Sequence, residues 1–192
     1  MFELVVGLGN PGPQYEQTRH NAGVWALRRI AEKYRLNFSL VSKFSAEIAQ
    51  PTPGTHAPRL VFPLSYMNNS GQPVAAIANF YKIPANKILI LHDELDVPPG
   101  NVRLKQGGGA GGHNGLKSLL QHLGQESNFS RIRIGIGHPG HRDRVLNYVL
   151  EKPSKEDRAR IESGIDKLIH SLDLVLDSAP ESWQRAMHQI HT

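Results

Sequence analysis

An apolar run at residues 4–8 leads directly into a turn rich in glycine and proline. The run is too short and too uniformly apolar for a strand with one solvated face, so it predicts a strand that is buried on both faces. Open α/β sheets built from such strands bind ligands at the carboxyl ends of the strands. Asn10 and His20 both leave this loop, and the imidazole of His20 exchanges its proton easily near neutral pH.

The turn at 7–12 also matches the glycine pattern of dinucleotide-binding loops, but its chemistry argues against that function. Pro11 and Pro13 remove N–H donors that would hold a pyrophosphate. The helical pattern begins only near His20, whereas a dinucleotide loop runs straight into its helix. The same pattern recurs twice more in this glycine-rich chain, so it discriminates poorly.

Strand and helix patterns alternate along the chain and predict an α/β fold. Further strands are predicted at 44–49, 59–62, 87–91, 102–105 (as an edge strand) and 130–137. Helices are predicted at 20–34, from Ser70 as the cap to Tyr81, at 116–123 closed by Gly124, around 145–150, from the capping box at Ser154 through a periodic stretch ending at Leu176, and from Pro180. We expect one domain spanning residues 1–192, with a twisted, mostly parallel (mixed) central sheet flanked by helices.

Two finer expectations concern the second half of the chain. Arginine and isoleucine alternate over 131–134, which predicts apolar side chains directed inward and Arg131 and Arg133 directed outward. Polar motifs cluster before residue 145, so the remainder of the chain is predicted to be scaffold.

The composition restricts the chemistry that is available. The 192 residues include no cysteine, which excludes disulfides, thiol nucleophiles and zinc–thiolate sites. We see no signal peptide, and no apolar run approaches the ~18 residues of a membrane span, so we expect a cytoplasmic protein with no membrane contact.

The net charge of +5 is carried entirely by residues 101–145. Two acidic residues lie in that segment, against seven cationic ones: Arg103, Lys105, Lys117, Arg131, Arg133, Arg142 and Arg144. A local excess of this kind is typical of a surface that contacts a polyanion such as a nucleic acid. A merely solvated basic surface explains the charge equally well.

Asp93 and His20 are the candidates for acid–base chemistry. Asp93 ends a strand whose preceding residues are apolar, so its carboxylate needs a partner. Contact with His20 would fix one ring nitrogen and leave the other as a base. Alternatively, Asp93 caps a local turn and His20 only begins a helix. Ser70 lacks the surroundings of a nucleophilic serine, so water activated by a base is the simplest chemistry.

Two other readings of the loops stay open. The cluster His92, Asp93, Glu94 and Asp96 could supply metal ligands, although its spacing is not that of a known metal motif. The glycine-rich loop at 107–115, followed by Lys117, could hold a carboxylate, a phosphate or an ester oxygen, could move as a lid, or could be a simple turn.

Six motifs occur in an order that resembles bacterial peptidyl-tRNA hydrolases. They are GLGNPG at 7–12, TRHNAG at 18–23, MN at 67–68, HDELD at 92–96, GGHNGL at 111–116 and RIRIGIGHP at 131–139. The match extends over about residues 3–150, so it is far more specific than any single motif. The resemblance implies an esterase that cleaves the bond between a peptide and the 3′ ribose of tRNA, which recycles tRNA from aborted translation.

The resemblance also implies roles for individual residues. His20 would be the catalytic base and Asp93 the residue that orients it. The substrate and the attacking water would be held by Asn10, Asn68 and Asn114, and the peptide cleft would be lined by Tyr15 and Met67. We also expect His113 in the substrate site, and the sequence leaves open whether it helps catalysis or only shapes its loop. Lys105 and Arg133 would bind the 5′ phosphate of tRNA.

No metal and no organic cofactor is implied, and the family is typically monomeric. A non-catalytic RNA-binding relative of the same fold is the alternative to an enzyme. The presence of Asn10, His20, Asn68 and Asp93 together argues against it, because a pure binding protein has no use for a base and its orienting acid. A metal-dependent hydrolase is a third class, which would lose activity in EDTA.

Overall fold

The residues that the structure describes form one seven-stranded sheet with helices on both faces. The computed structural model describes residues 1–124 and 128–192. The strands are β1 (Leu4–Gly7), β2 (Ser39–Val41), β3 (Ala46–Ala49), β4 (Arg59–Pro63), β5 (Ile88–Glu94), β6 (Val102–Gln106) and β7 (Ser130–Gly135). Their spatial order is β2-β3-β4-β1-β5-β7-β6. The four central strands run parallel, whereas β2 to β4 and β6 to β7 pair antiparallel, so the predicted mixed α/β fold is confirmed.

Within the described residues, seven α-helices cover the two faces of this sheet. They are α1 (Ala22–Tyr34), α2 (Gly71–Phe80), α3 (Asn114–Leu123), α4 (Val145–Val149), α5 (Lys155–His170), α6 (Leu172–Asp177) and α7 (Pro180–Ile190). The helices α2 and α3 bury one face of the sheet, and α1 and α4 to α7 bury the other. None of the described helices combines the length and apolarity that crossing a membrane requires.

Burial on both faces explains the uniformly apolar β1. Leu4 and Val6 pack in the core on the side of α2 and α3, while Val5 packs in the core on the side of α1. All three side chains are fully buried. A strand that packs against helices on both sides has no solvated face, so its sequence does not alternate.

Close backbone contacts bring α1 against the ends of β1 and β5. A Cβ added to Gly23 would lie 2.2 Å from the carbonyl oxygen of Leu91, so any side chain here would force the helix away from β5. A Cβ added to Gly7 would lie 2.8 Å from the carbonyl oxygen of Gly23. The start of α1, which follows His20, is therefore held next to the carboxyl end of β5, where Asp93 lies.

Several predicted boundaries differ from the structure. The short strand β2 was not predicted, because its residues are mostly exposed at the edge of the sheet. β3 begins at Ala46 rather than Phe44, since a 3₁₀ turn occupies Ser42–Phe44. The periodic stretch that ends at Leu176 is divided at Ser171 into α5 and α6. The capping bond predicted at Ser154 is present, with its Oγ accepting from Asp157 N at 3.0 Å.

The prediction that the Ser70 side chain caps α2 is wrong. Ser70 precedes the helix, but its hydroxyl donates to the carbonyl oxygen of Met67 at 2.8 Å instead. The first N–H of α2, at Gly71, donates to Oγ of Ser118 at 2.9 Å. The 3₁₀ turn at Met67–Asn69 places the carbonyl oxygen of Met67 within reach of the Ser70 hydroxyl. Ser118 of the neighbouring helix α3 therefore caps α2.

Candidate active site

The side chains of His20 and Asp93 meet at the carboxyl end of β5. Asp93 is 2% exposed, and His20 lies in the 3₁₀ turn Arg19–Asn21 that precedes α1. Nδ1 of His20 lies 3.0 Å from Oδ1 and 2.9 Å from Oδ2 of Asp93. A carboxylate only accepts, so Nδ1 carries the proton and Nε2 keeps its lone pair. This arrangement orients His20 as a base.

A second histidine contacts the same carboxylate. Nε2 of His113 lies 2.8 Å from Oδ1 of Asp93, while Nδ1 of His113 accepts from the backbone N–H groups of Gly115 and Leu116 at the start of α3. The network therefore assigns the proton of His113 to Nε2. Both of its ring nitrogens are occupied, so His113 ties the amino end of α3 to Asp93.

The charges at this site set the protonation of the pair. Burial lowers the pKa of His20, but the charge of Asp93 and the hydrogen bond to it outweigh burial, so the pKa lies above its ordinary value of 6.5. Burial alone would raise the pKa of Asp93, whereas the contacts with His20 and His113 hold it far below its ordinary range. Asp93 is therefore ionised at neutral pH, and His20 is adjusted to accept a proton.

His92 is buried beside the pair and stays neutral. It is 1% exposed, and its Nδ1 lies 2.8 Å from the carbonyl oxygen of Asp93, to which it donates. Burial, together with the neighbouring His113, lowers the pKa of His92 to about 3. His92 therefore supports the backbone of Asp93 and does not exchange protons near neutral pH.

The potential metal ligands differ from those proposed from the sequence. Across residues 1–124 and 128–192, one group of three side chains, His20, Asp93 and His113, places its ligand atoms within 4.8 Å of one another. His92, Glu94 and Asp96 do not belong to that group. Of the four metal ligands considered from the sequence, the group therefore contains Asp93 alone.

Asn10 connects the first loop to the turn before α2. Its Oδ1 accepts from the N–H of Met67 at 2.7 Å, and its backbone N–H and carbonyl both bond the side chain of Asn21 at 2.9 and 3.0 Å. Met67 in turn contacts the start of α3, because a Cβ added to Gly115 would lie 2.6 Å from Sδ of Met67. Asn10 is 6% exposed, and its amide nitrogen, which has no hydrogen bond to the described part of the chain, is left to donate to a ligand.

Exposed polar and aromatic side chains surround these buried contacts. Asn68 and Asn114 are both exposed, at the turn before α2 and at the first residue of α3. Tyr15 packs edge-on against Tyr66 with 6.2 Å between ring centroids, and Tyr66 is 57% exposed. Tyr66 is not among the site residues predicted from the sequence. Its position next to Met67 in a polar turn is the pattern that could have indicated it.

A cavity of about 530 Å³ opens beside His20. Its lining includes His20, Asp93, His113 and Asn114 among the predicted residues, while Asn10, Tyr15, Met67, Asn68, Lys105 and Arg133 lie outside it. Val145, Leu146 and Val149 of α4 form an apolar wall, and Leu146 is 66% exposed. The last part of the chain, which the sequence predicts to be scaffold, thus contributes one helix to the wall of this cavity.

The cationic side chains of β6 and β7 share one face of the sheet. Lys105 pairs with Arg131, and Arg103 pairs with Arg133. Lys105 is exposed, and its side chain lies against Gly108. Arg133 is half-buried and its Nη1 lies 3.1 Å from Oε1 of Glu94.

The prediction that Arg131 points outward into solvent is wrong. Arg131 is 2% exposed, and its guanidinium donates to the carbonyl oxygens of Gly108 and Gly109. The glycine-rich loop closes over this side chain, so this part of the β7 face is not solvated. Arg131 therefore holds the loop backbone and is not available as a phosphate ligand.

Comparison with known proteins decides the family. The family model for peptidyl-tRNA hydrolase matches residues 4–192. The chain belongs to the peptidyl-tRNA hydrolase family. Peptidyl-tRNA hydrolase from Haemophilus influenzae is 49% identical over 91% of this chain and 90% of its own length. The same enzyme from Legionella pneumophila is 48% identical over 100% of this chain and 99% of its own length.

A solved structure agrees with the sequence relatives. The crystal structure of peptidyl-tRNA hydrolase from Acinetobacter baumannii superposes with a TM-score of 0.92 at 43% identity, covering 100% of this chain and 95% of that one. The resemblance to peptidyl-tRNA hydrolases and the prediction of an ester hydrolase acting on peptidyl-tRNA are confirmed. The alternative of a non-catalytic RNA-binding relative is not supported.

Proposed function

We propose that Nε2 of His20 is the general base of this peptidyl-tRNA hydrolase. The proposal is supported chiefly by the bond of Nδ1 to Asp93, which leaves Nε2 with its lone pair beside the cavity. Water attacks the ester carbon as Nε2 takes its proton. The tetrahedral intermediate then loses the ribose oxygen as the C–O bond breaks, and the imidazolium returns the proton to that oxygen.

The amide side chains bind the substrate and stabilise the negative charge that develops on the ester oxygen. Asn10 is suited to donate, because its Oδ1 is already bonded to Met67. Asn68 adjoins Met67 and Asn114 adjoins Gly115 in the chain, and both are exposed, so they can contact an extended peptide. Neutral amide donors fixed in advance lower the barrier for an oxyanion. Tyr15 and Met67 line the peptide cleft, and His113 positions Asp93.

The tRNA binds across the cationic face formed by β6 and β7. Lys105 and Arg133 lie diagonally on that face and bind the 5′ phosphate at the end of the acceptor stem. The chain acts as a monomer built from a single domain of residues 1–192, in the cytoplasm, without a membrane partner. No metal or organic cofactor takes part, because a positioned base suffices for an ester.

Release of N-acetyl-aminoacyl groups from tRNA, with and without EDTA, tests this function. We expect full activity of the unaltered protein in EDTA. Activity that EDTA abolishes and zinc restores would replace the proposal with a metal site at His20, Asp93 and His113. Absence of activity with tRNA binding retained would favour a binding protein.

We expect free aminoacyl-tRNA to be spared. The groups bonded to Asn10 are the neutral N–H of Met67 and the amide of Asn21, so an α-ammonium placed there would lose water without gaining a counterion. The kcat/KM of N-acetyl-aminoacyl-tRNA should exceed that of the free form by about tenfold or more. Equal values for two such substrates carrying the same amino acid would refute this specificity.

Replacing Lys105 or Arg133 should weaken tRNA binding and leave the chemical step intact. We expect Lys105→Ala to raise KM at unchanged kcat, and to reduce the slope of log(kcat/KM) against log salt by about 1. Lys167→Ala, an exposed change on α5, is the matched control. A fall in kcat at constant KM would contradict the assignment.

A further inference from the structure

A buried cation lies next to the base and has no part in the chemistry described above. Arg19 is 8% exposed, although it directly precedes His20. Its guanidinium carbon lies 3.8 Å from the ring centroid of Tyr148, and its Nη1 donates to the carbonyl oxygen of Tyr148 at 2.9 Å. Arg19 therefore stacks on one residue of α4 and bonds the backbone of that same residue.

The residue that Arg19 holds is itself fixed at its far end. The hydroxyl of Tyr148 donates to the carbonyl oxygen of Ile136 at 2.6 Å. The backbone N–H of Arg19 donates to the carbonyl oxygen of Glu151 at 3.0 Å, just beyond α4. The 3₁₀ turn of the base and the helix that forms the apolar wall of the cavity are thus joined by stacking and by two hydrogen bonds.

Stability alone does not account for an arginine at this position. Among the residues that the structure describes, the carboxylate within 4 Å of Arg19 is that of Glu151, at 3.9 Å, and because it is largely exposed it compensates the buried charge poorly. Nε of Arg19 is buried without a hydrogen-bond partner among the described residues. An apolar side chain of similar length would avoid both costs, so the arginine is better explained by what it positions.

We propose that Arg19 is a positioning residue for the hydrolysis, an inference that rests on the proposed function of His20. By holding Tyr148, it sets the separation between Nε2 of His20 and the wall formed by Val145, Leu146 and Val149. By tying the 3₁₀ turn to α4, it also keeps Nδ1 of His20 on the carboxylate of Asp93. Small misplacements of a catalytic group lower the rate steeply.

Arg19→Met tests the proposal, because methionine keeps an apolar stem and the backbone bond to Glu151 but removes the stacking on Tyr148 and the side-chain bond to its carbonyl oxygen. We expect kcat for N-acetyl-aminoacyl-tRNA to fall about tenfold or more at nearly constant KM. We also expect the acidic limb of the kcat/KM profile to move to lower pH, since a loosened contact with Asp93 no longer raises the pKa of His20. Arg19→Lys, which retains a donor and the charge, should restore part of kcat.

The direction of the pH shift separates positioning from simple removal of charge. Loss of a nearby cation would by itself raise the pKa of His20 and move the limb to higher pH. Unchanged kcat, or a lower kcat with the limb unmoved or moved upward, would overturn the proposal. The control is Arg29→Met. It removes the ion pair between Arg29 of α1 and Asp166 of α5, and should leave kcat and the acidic limb unchanged.

Failure of this inference can be distinguished from failure of the proposed function. Full activity of His20→Ala would refute the base itself, whatever Arg19→Met did. An inactive His20→Ala together with a fully active Arg19→Met would refute only the role of Arg19. Melting temperatures of all variants show whether a lost rate reflects a smaller folded fraction.

Discussion

His20→Ala should lower kcat by about 10²–10⁴-fold, the contribution expected of a positioned general base. The imidazole is the group on the cavity lining whose Nδ1 is committed to Asp93 and whose Nε2 keeps its lone pair. KM should change little, because the amide and cationic side chains that bind the substrate remain. The measurement is steady-state release of N-acetyl-aminoacyl groups from tRNA at neutral pH.

His56→Ala is the matched control, since His56 is exposed in the proline-rich loop at 51–58, away from the cavity. Both variants should show the circular dichroism spectrum and melting temperature of the unaltered protein within a few degrees. If His20→Ala kept the native kcat, the base would have to be another group, and His113 would be tested next. For His113 to act as the base, its Nδ1 would have to give up the bonds that it accepts from Gly115 and Leu116 at the start of α3.

Asp93→Asn should lower kcat by a similar factor of about 10²–10⁴, even though the side chain keeps its shape. An amide can present an N–H₂ group to Nδ1 of His20, which favours the tautomer whose Nε2 carries the proton and cannot act as a base. His113 would lose its charged acceptor as well. Activity should therefore fall without a large change in KM.

The residual activity of Asp93→Asn should also show a displaced pH profile. Asp93 raises the pKa of His20, and only the neutral imidazole is a base, so the acidic limb of the unaltered protein lies above the ordinary value of 6.5. Removing the charge lowers that pKa, so the limb should move to lower pH. Asp173→Asn, an exposed acid paired with Lys33 and Tyr34, is the control. A limb that stayed in place would show that Asp93 does not set the pKa of the base.

The sequence was informative where a side chain lies at the end of a recognisable strand. Asp93 and His20 could be paired because parallel strands end at one edge of the sheet, and the uniformly apolar β1 showed that the sheet is covered on both faces. The contact of His113 with the same carboxylate could not be predicted. It depends on where α3 begins, and that position is fixed by packing of Gly115 against Met67.

Alternation along a strand was a weaker guide. Arg131 and Arg133 alternate with isoleucine as on a half-exposed strand, yet a loop more than twenty residues earlier covers Arg131. Whether a distant loop covers a side chain cannot be recognised from the residues next to it in the sequence. The pattern at 145–150 likewise predicts a helix, but no local signal shows that Val145, Leu146 and Val149 of this helix line the cavity beside His20.

The close approach of Gly23 to Leu91 has a consequence for reading mutational scans. At this position the backbone of α1 rests on the backbone of β5, so even one methyl group displaces the helix that follows His20. Selection for activity would reject substitutions at Gly23 as firmly as those at His20, although glycine contributes no functional group. Intolerance at position 23 therefore reports how closely two backbone segments approach each other. Positions that tolerate no substitution would include residues that hold the backbone of this site in place as well as residues that take part in the reaction.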